Sequence, residues 1–172
     1  MDRLSTQLKS LLLLGALFAV SGCASHTPYQ GSSTAAAVRR AAVNQSESAQ
    51  GGPVAELALA MIGRPYVYGG ADPAHGFDCS GLVFYTYAEN GLSVPRTSQE
   101  LFKASRKIAL AQANQGDLVF FQDQEKLSHV GIYLGDGLFV HAPSSGKRVS
   151  IANLAAPYYQ QHLVAVGSLL AD

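Results

Sequence analysis

The chain has 172 residues, of which 48% are hydrophobic and 14% are charged, so it is long enough for one ordinary domain with an apolar core. Lys and Arg together number 12, as do Asp and Glu, which gives a formal net charge of zero. This balance indicates neither the basic stripe of a nucleic-acid-binding protein nor a polybasic membrane-binding surface, so we expect no nucleic-acid partner.

The first part of the chain is typical of an export signal. Arg3 and Lys9 precede an apolar run at 11–20. This run is too short to span a bilayer, but its length matches the hydrophobic region of a signal peptide. The run ends at Val20-Ser21-Gly22-Cys23, which resembles a bacterial lipobox, where cleavage before the cysteine exposes it for acylation. We predict a lipoprotein signal peptide over 1–22 and lipidation of Cys23; the alternative is an ordinary signal peptide with a chance cysteine.

The segment after Cys23 is predicted to be a tether. Residues 23–52 are rich in Ala, Ser, Gln, Thr and Gly and hold few large apolar residues, a composition typical of disorder. Ala24 stands where an aspartate would favour retention in the inner membrane. By resemblance to sorted bacterial lipoproteins, we expect a lipid anchor on the periplasmic side of the outer membrane and a monomeric domain over 53–172.

The domain is predicted to begin with helices and to end with strands. Helical spacing of apolar residues, with start and stop signals, predicts helices at 54–62, 78–89 and 97–104 and a short helix at 153–160. Alternating apolar residues predict strands at 117–121, 129–134, 138–141, 148–151 and 162–168. Helices followed by an antiparallel meander indicate an α+β fold with a sheet of about five strands.

Cys79 is the only cysteine besides Cys23, so it has no partner in the chain if Cys23 carries lipid. A free thiol in an oxidising compartment is either buried and inert or has a chemical role. Asp78 is a good N-cap residue, and it would place Cys79 in the first turn of a helix, where backbone N–H groups and the helix dipole favour a thiolate. The carboxylate of Asp78 opposes a thiolate, so a further base or cation is needed.

Two histidines converge in the predicted hairpin. Pairing Leu134 with Leu138 puts the aliphatic side chains of both strands on one face, which we take as the core. The same register places His129 and His141 on the opposite, polar face, with Cα atoms about 7–8 Å apart. His129 can then take the proton of Cys79 while His141 orients its ring. Two satisfied surface histidines are the alternative.

The sequence contains no motif typical of a metal site or of a serine hydrolase. Histidines and carboxylates are present, but no HExxH or similar metal-ligand spacing occurs. The GxSxG motif of serine hydrolases is also missing. We therefore expect no metal and no cofactor.

An ordered series of motifs resembles the NlpC family of bacterial cell-wall cysteine peptidases over nearly the whole predicted domain. The motifs are Pro65-Tyr66-Val67-Tyr68-Gly69-Gly70, Asp78-Cys79-Ser80-Gly81, Pro95-Arg96-Thr97-Ser98, Gly116-Asp117-Leu118-Val119, His129-Val130-Gly131-Ile132-Tyr133-Leu134-Gly135 and Phe139-Val140-His141-Ala142. The resemblance implies a papain-like core, in which the helix that carries the nucleophile packs on an antiparallel sheet.

The resemblance also implies roles for site residues. It implies Cys79 as the nucleophile, His129 as the general base and His141 as the residue that orients it. Tyr66 would place a hydroxyl near the thiol and help the oxyanion site.

Three further residues are implied to bind substrate. In some members of the family the aspartate and serine that correspond to Asp78 and Ser80 hold the amine of the substrate. Arg96 either binds a substrate carboxylate or forms a structural ion pair.

The reaction follows from the same resemblance. Family members recognise peptidoglycan stem peptides, so we expect acyl transfer to Cys79 and then hydrolysis through His129. A single domain on a lipid anchor is similar to the outer-membrane lipoprotein endopeptidases that open cross-links between D-alanine and meso-diaminopimelate. The alternatives that stay open are cleavage between γ-D-glutamate and diaminopimelate, a non-catalytic wall-binding lipoprotein, and an acyltransferase on the same core.

Overall fold

The structure, a computed structural model, describes residues 50–123, 126–144 and 146–170. The predicted signal peptide, the predicted lipidation site at Cys23 and the predicted tether as far as residue 49 lie outside the described residues. Within the described ranges, no helix has the length and apolar character needed to cross a membrane.

Local signals define the ends of the helices. The helices of the described chain are α1 over 50–60, α2 at Cys79–Glu89, α3 at Ser98–Ala104 and α4 at Pro157–His162. Asp78 caps α2 and Thr97 caps α3, because their side-chain oxygens accept the N–H groups of Gly81 and Glu100. These two starts were predicted, whereas α4 begins at Pro157 and not at residue 153.

The strands form two antiparallel sheets. In chain order they are β1 at Ala71–Asp72, β2 at Gly76–Phe77, β3 at Arg106–Ile108, β4 at Leu118–Asp123, β5 at Lys126–Gly135, β6 at Leu138–His141, β7 at Ser150–Asn153 and β8 at Leu163–Ser168. Among the described residues, β1 and β2 pair with each other, and six strands form the main sheet in the order β3-β8-β4-β5-β6-β7. The predicted number of about five missed β3, an edge strand whose Arg106 and Lys107 are both exposed and therefore give no alternating pattern.

Both faces of the main sheet are buried. On one face, Leu82 and Tyr87 of α2 pack with Val130, Ile132 and Val140 of β5 and β6. The other face carries a second buried cluster, Val119, Phe121, Tyr133, Phe139, Leu154 and Val166. The prediction that this second face is polar was therefore wrong, because Leu154 after β7 and Tyr159 of α4 pack on it.

The hairpin of β5 and β6 has the predicted register near the histidines and a different one near the turn. Ile132 pairs with Val140, as predicted. A bulge closer to the turn pairs Leu138 with Gly135 instead of with Leu134, and Leu138 is consequently exposed. The bulge lies beyond the part of the hairpin that positions the two histidines.

Candidate active site

Cys79 is the first residue of α2. Asp78 before it has extended backbone (φ −87°, ψ 176°), and its Oδ1 accepts the N–H of Gly81 at 2.6 Å. Gly81 has no space for a side chain, since a Cβ there would lie 1.9 Å from the carbonyl oxygen of Gly70. The segment from Asp78 to Gly81 thus fixes the start of the helix and holds Cys79 in its first turn, as predicted.

Asp78 and Arg96 form a bidentate ion pair at the start of α2. Nη1 and Nη2 of Arg96 each lie 2.9 Å from one carboxylate oxygen. The same nitrogens donate to Oγ of Ser80 at 3.0 Å and to the carbonyl of Gly70 at 3.1 Å. The carboxylate also accepts the N–H of Gly69 and the hydroxyl of Ser80. Both ends of the ion pair are therefore engaged within the protein.

This ion pair sets the charge next to the nucleophile. Burial acts to raise the pKa of Asp78, but the hydrogen bonds from Arg96 and Gly81 and the charge of Arg96 outweigh it and hold the pKa below its ordinary value. Asp78 is consequently ionised and matched by a guanidinium. The cation that the sequence called for beside Asp78 is Arg96.

The thiol of Cys79 lies between α2 and β5. The backbone N–H groups of Val130, Ser80 and Cys79 itself lie close enough to its sulfur to act on the pKa of the thiol. Burial and the charge of Asp78 raise the pKa of the thiol above its ordinary value, although these N–H groups act to lower it. The helix N-terminus alone therefore does not make the resting thiol acidic, because burial has the larger effect.

Tyr66 lies in the segment that precedes β1. A backbone bridge joins it to Phe77 of β2, and its N–H donates to the carbonyl of Lys147 at 2.9 Å. Burial, followed by the charges of Cys79 and Asp78, raises the pKa of its hydroxyl. The hydroxyl is therefore protonated and close enough to the thiol to respond to its charge.

His129 and His141 are in direct contact. Nε2 of His129 lies 2.7 Å from Nδ1 of His141, and the ring centroids are 5.0 Å apart. Burial, followed by the neighbouring imidazole, lowers the pKa of His129 to about 3. Burial, followed by the charge of Lys147, lowers the pKa of His141 to about 4. Both rings are neutral at pH 7, and Nδ1 is the nitrogen of His129 left for a partner other than His141.

Tyr159 of α4 is a third partner in this contact, and it was not among the site residues predicted from the sequence. Its hydroxyl lies 3.3 Å from Nε2 of His141. Its ring packs at near right angles to the rings of Phe139 and His141, with centroids 4.9 and 5.5 Å away. The only signal was a tyrosine in a predicted short helix. Because its contact to β6 depends on how α4 packs on the sheet, no local pattern could reveal it.

A groove of about 590 Å³ opens beside the thiol. The predicted site residues that line it are Tyr66, Asp78, Cys79, Ser80 and Arg96. His129 and His141 line an adjacent cavity, and Ser128 borders both spaces. Within residues 50–123, 126–144 and 146–170, no three His, Cys, Asp or Glu side chains are grouped to hold a metal ion.

Residues 63–168 match the NlpC/P60 family. The chain is 41% identical over 119 residues to the bifunctional muramidase/DL-endopeptidase CwlT of Bacillus subtilis (strain 168), which covers 67% of this chain and 36% of that protein. It is 40% identical over 111 residues to the murein DD-endopeptidase MepH of Escherichia coli (strain K12), which covers 62% of this chain and 41% of that protein. The chain thus spans less than half the length of these curated relatives.

Solved structures share the fold. The NlpC/p60 domain of the peptidoglycan hydrolase SagA matches with a TM-score of 0.61 at 34% identity, over 69% of this chain and 98% of that domain. A lipoprotein-like NLP/P60 family protein of Staphylococcus aureus subsp. aureus Mu50 matches with a TM-score of 0.66 at 35% identity, over 72% of this chain and 42% of that one. These likenesses confirm the predicted α+β class, and together with the match over residues 63–168 they establish that the chain belongs to the NlpC/P60 family.

Proposed function

We propose that this protein is a peptidoglycan hydrolase, a cysteine endopeptidase that cleaves stem-peptide cross-links between D-alanine and meso-diaminopimelate. One arrangement carries the proposal. The sulfur of Cys79 lies near the backbone N–H of Val130, and Nε2 of the preceding residue, His129, lies 2.7 Å from Nδ1 of His141. Relatives named as a murein DD-endopeptidase and a DL-endopeptidase support a reaction on peptidoglycan peptides.

The base in this proposal is Nδ1 of His129. For Nδ1 to accept a proton, the proton of neutral His129 must sit on Nε2 and be donated to Nδ1 of His141. His141 then carries its own proton on Nε2, where the hydroxyl oxygen of Tyr159 accepts it. This direction of the two hydrogen bonds is the one that leaves Nδ1 of His129 free to accept a proton, and His141 and Tyr159 act in it as positioning residues.

The reaction begins with a neutral thiol and a neutral imidazole. Cys79 transfers its proton to His129 as the sulfur attacks the scissile carbonyl, because burial disfavours a separate ion pair before substrate binds. The C–N bond breaks, His129 gives the proton to the leaving nitrogen, and a thioester remains on Cys79. Water then loses a proton to His129 and attacks the thioester. The C–S bond breaks, and the thiolate recovers the proton.

The negative charge that develops on the oxygen of the attacked carbonyl is stabilised by hydrogen-bond donors at the start of α2. The N–H groups of Cys79 and Ser80 lie toward the sulfur, and the hydroxyl of Tyr66 lies near it. These donors are fixed by the helix and by the segment before β1 before substrate binds, so they stabilise the developing oxyanion without rearranging.

Asp78, Ser80 and Arg96 line the groove that would hold the acyl fragment. The carboxylate of Asp78 already accepts hydrogen bonds from Gly69, Ser80, Gly81 and Arg96. A substrate amine can reach it only by replacing one of these donors. We therefore assign Arg96 to the structural ion pair, and amine binding to the atoms of Asp78 and Ser80 that line the groove.

The anchor is part of the proposal. Val20-Ser21-Gly22-Cys23 supports lipidation at Cys23, and Ala24 after it supports the periplasmic side of the outer membrane. Labelling of the expressed protein with a palmitate analogue would be lost in Cys23→Ser if this assignment is right.

The test is a digestion of purified muropeptide dimers with wild type and Cys79→Ala, with products mapped by mass. We expect the wild type to add one water per cross-link and free the amine of diaminopimelate, and Cys79→Ala to give no product. A circular dichroism melt of Cys79→Ala checks that it folds. Absence of product from folded wild type would contradict the proposed enzymatic activity. Product from Cys79→Ala would contradict the assignment of Cys79 as the nucleophile.

The products also separate the alternatives. Relatives named as a DL-endopeptidase and a gamma-DL-glutamyl hydrolase favour the γ-D-glutamyl bond as the second candidate. A new amine on diaminopimelate with a free γ-carboxyl on glutamate would assign that bond. Joined peptides without added water would assign an acyltransferase.

A further inference from the structure

A second cavity, of about 450 Å³, is lined by the histidine pair, which does not line the Cys79 groove. His129 and His141 form one wall, and Tyr158 and Tyr159 of α4 form another. Ser128, which precedes His129 on β5, lines both this cavity and the Cys79 groove. The two spaces therefore adjoin at Ser128, so that a peptide bound across the site can reach from one to the other.

The proposed reaction gives this peptide a direction. His129 returns its proton to the leaving nitrogen, so that nitrogen must lie at the imidazole. The attacked carbonyl must lie at Cys79 and the start of α2, where the oxyanion donors are. The acyl fragment thus extends along the groove beside Cys79, and the leaving fragment extends past His129 into the second cavity.

Lys147 supplies a positive charge in this cavity. It lines the space, and its charge is close enough to act on His141. The other described residues of the wall are serine, proline, tyrosine and the two histidines that burial keeps neutral. An anionic group entering the cavity would therefore meet a single fixed charge of opposite sign in the described wall.

The backbone of Lys147 is held in place although its side chain is exposed. Its N–H donates to the carbonyl of Ser144 at 3.1 Å, and its carbonyl accepts the N–H of Tyr66 at 2.9 Å. Tyr66 lines the Cys79 groove, so this backbone hydrogen bond joins a residue of the groove to a residue of the second cavity. Among the described residues, the ammonium of Lys147 has no ion-pair partner, and it is available to a ligand.

We propose that this cavity is the subsite for the leaving fragment and that Lys147 binds a free carboxylate on that fragment. The inference rests on the proposed function and deepens it. In the D-alanine to diaminopimelate cross-link, the carbon that bears the leaving nitrogen also bears a free carboxylate. In the γ-D-glutamyl bond, diaminopimelate presents its free carboxylate at the far end of its chain. Lys147 can thus select for diaminopimelate with an uncapped carboxylate in either reaction.

The experiment compares two substrates and three variants. The substrates are a muropeptide dimer with free diaminopimelate carboxylates and the same dimer with those carboxylates amidated. The variants are Lys147→Gln, Lys147→Glu and the control Lys103→Gln, whose lysine is exposed on α3. We expect wild type and Lys103→Gln to prefer the free carboxylate about 10-fold in kcat/KM, mainly through KM, as one charge-assisted contact can provide.

The variants should remove that preference. Lys147→Gln should cleave both substrates equally, at the rate of wild type on the amidated dimer, and Lys147→Glu should prefer the amidated dimer. Equal cleavage of both dimers by wild type, or a preference that survives in Lys147→Gln, would overturn the subsite while the proposed function stands.

If neither dimer is cleaved, the proposed function fails and binding decides the subsite alone. The Kd of each intact dimer is then measured on Cys79→Ala and on Cys79→Ala with Lys147→Gln. Tighter binding of the free carboxylate that depends on Lys147 supports the subsite, and equal binding overturns it.

Discussion

At the Cys79 end of the site, a charged carboxylate is buried against an arginine, whereas at the histidine end two neutral imidazoles are buried among aromatic rings. Asp78 keeps its charge because Arg96 and several N–H groups bind it, and its pKa falls. His129 and His141 lose their charge because desolvation meets no compensating carboxylate, and their pKa values fall too. The same direction of shift stabilises the ionised form at one end and the neutral form at the other.

The difference separates the two ends experimentally. The Cys79 end depends on a partner charge, so removal of the partner should destabilise it at neutral pH. The histidine end depends on the absence of charge, so acid should destabilise it. The catalytic consequence differs as well, because the first end sets the electrostatic field at the thiol and the second sets the tautomer of the base.

The largest expected effect comes from Arg96→Met, which removes the guanidinium and keeps much of the side-chain volume. Asp78 would then be a poorly exposed carboxylate without its ion-pair partner. We expect the free energy of unfolding at pH 7 to fall by about 3 kcal/mol, the range for breaking a buried pair from one side. Urea unfolding measures this loss. The pKa of Cys79, followed by alkylation rate against pH, should rise because the charge of Asp78 is no longer matched.

Two further variants control this result. Arg64→Met changes an exposed arginine and should shift the free energy of unfolding by no more than about 0.5 kcal/mol. Adding Asp78→Asn to Arg96→Met should recover part of the loss, because the uncompensated charge is gone. Strict additivity of the two substitutions would contradict a coupled pair.

Acid should weaken the histidine end by about 2 kcal/mol for each of the two buried histidines between pH 7 and pH 5. An unfolded histidine has a pKa near 6.5, whereas His129 and His141 have folded values of about 3 and about 4. Between these limits the unfolded chain binds more protons, so stability is complete above about pH 6.5 and falls as the pH falls toward the folded values. Urea unfolding at a series of pH values measures the slope.

Variants assign that slope to the buried pair. His141→Asn keeps a polar side chain without a titrating ring, so the fall toward pH 5 should become about half as steep. His162→Asn changes the histidine at the end of α4, which is hydrogen-bonded to the carbonyl of Tyr158, and should leave the slope as in wild type. A free energy of unfolding that is flat from pH 7 to pH 5 in wild type would contradict the buried neutral pair.

Sequence patterns predicted the parts of the site that depend on local geometry. The N-cap at Asp78 and the position of Cys79 follow from four consecutive residues, and both are as predicted. The register that brings His129 and His141 together follows from the two-residue period of strands, and it holds where Ile132 pairs with Val140.

The features of the fold and the site that depend on tertiary packing could not be predicted from sequence patterns. The second face of the sheet is buried because Leu154 and Tyr159 of α4 pack on it, and no alternation within β5 encodes that. The contact between Arg96 and Asp78 joins residues 18 positions apart, so the sequence left an ion pair as one alternative for Arg96. The raised pKa of Cys79 follows from desolvation, which a pattern of residue types does not measure.

The smallest expected effect tests the positioning residue at the histidine end. Tyr159→Phe keeps the ring that packs on Phe139 and removes the oxygen 3.3 Å from Nε2 of His141. Without this acceptor, His141 can instead hold its proton on Nδ1 and donate it to His129. That tautomer protonates the nitrogen of His129 that should serve as the base. We expect kcat to fall about 10-fold at pH 7 with KM unchanged, equivalent to about 1.4 kcal/mol in the barrier.

A purely structural role for Tyr159 would give a different pattern. It would lower the free energy of unfolding and leave the imidazole nitrogen signals unchanged, whereas a tautomer shift moves the ¹⁵N resonances of His129 and His141 in the folded protein. Tyr85→Phe is the matched control, because Tyr85 packs on Phe77 away from both cavities. It should keep wild-type kcat and wild-type resonances. If Tyr159→Phe behaves as Tyr85→Phe does, the tyrosine does not set the base, and the histidine pair alone must hold the productive tautomer.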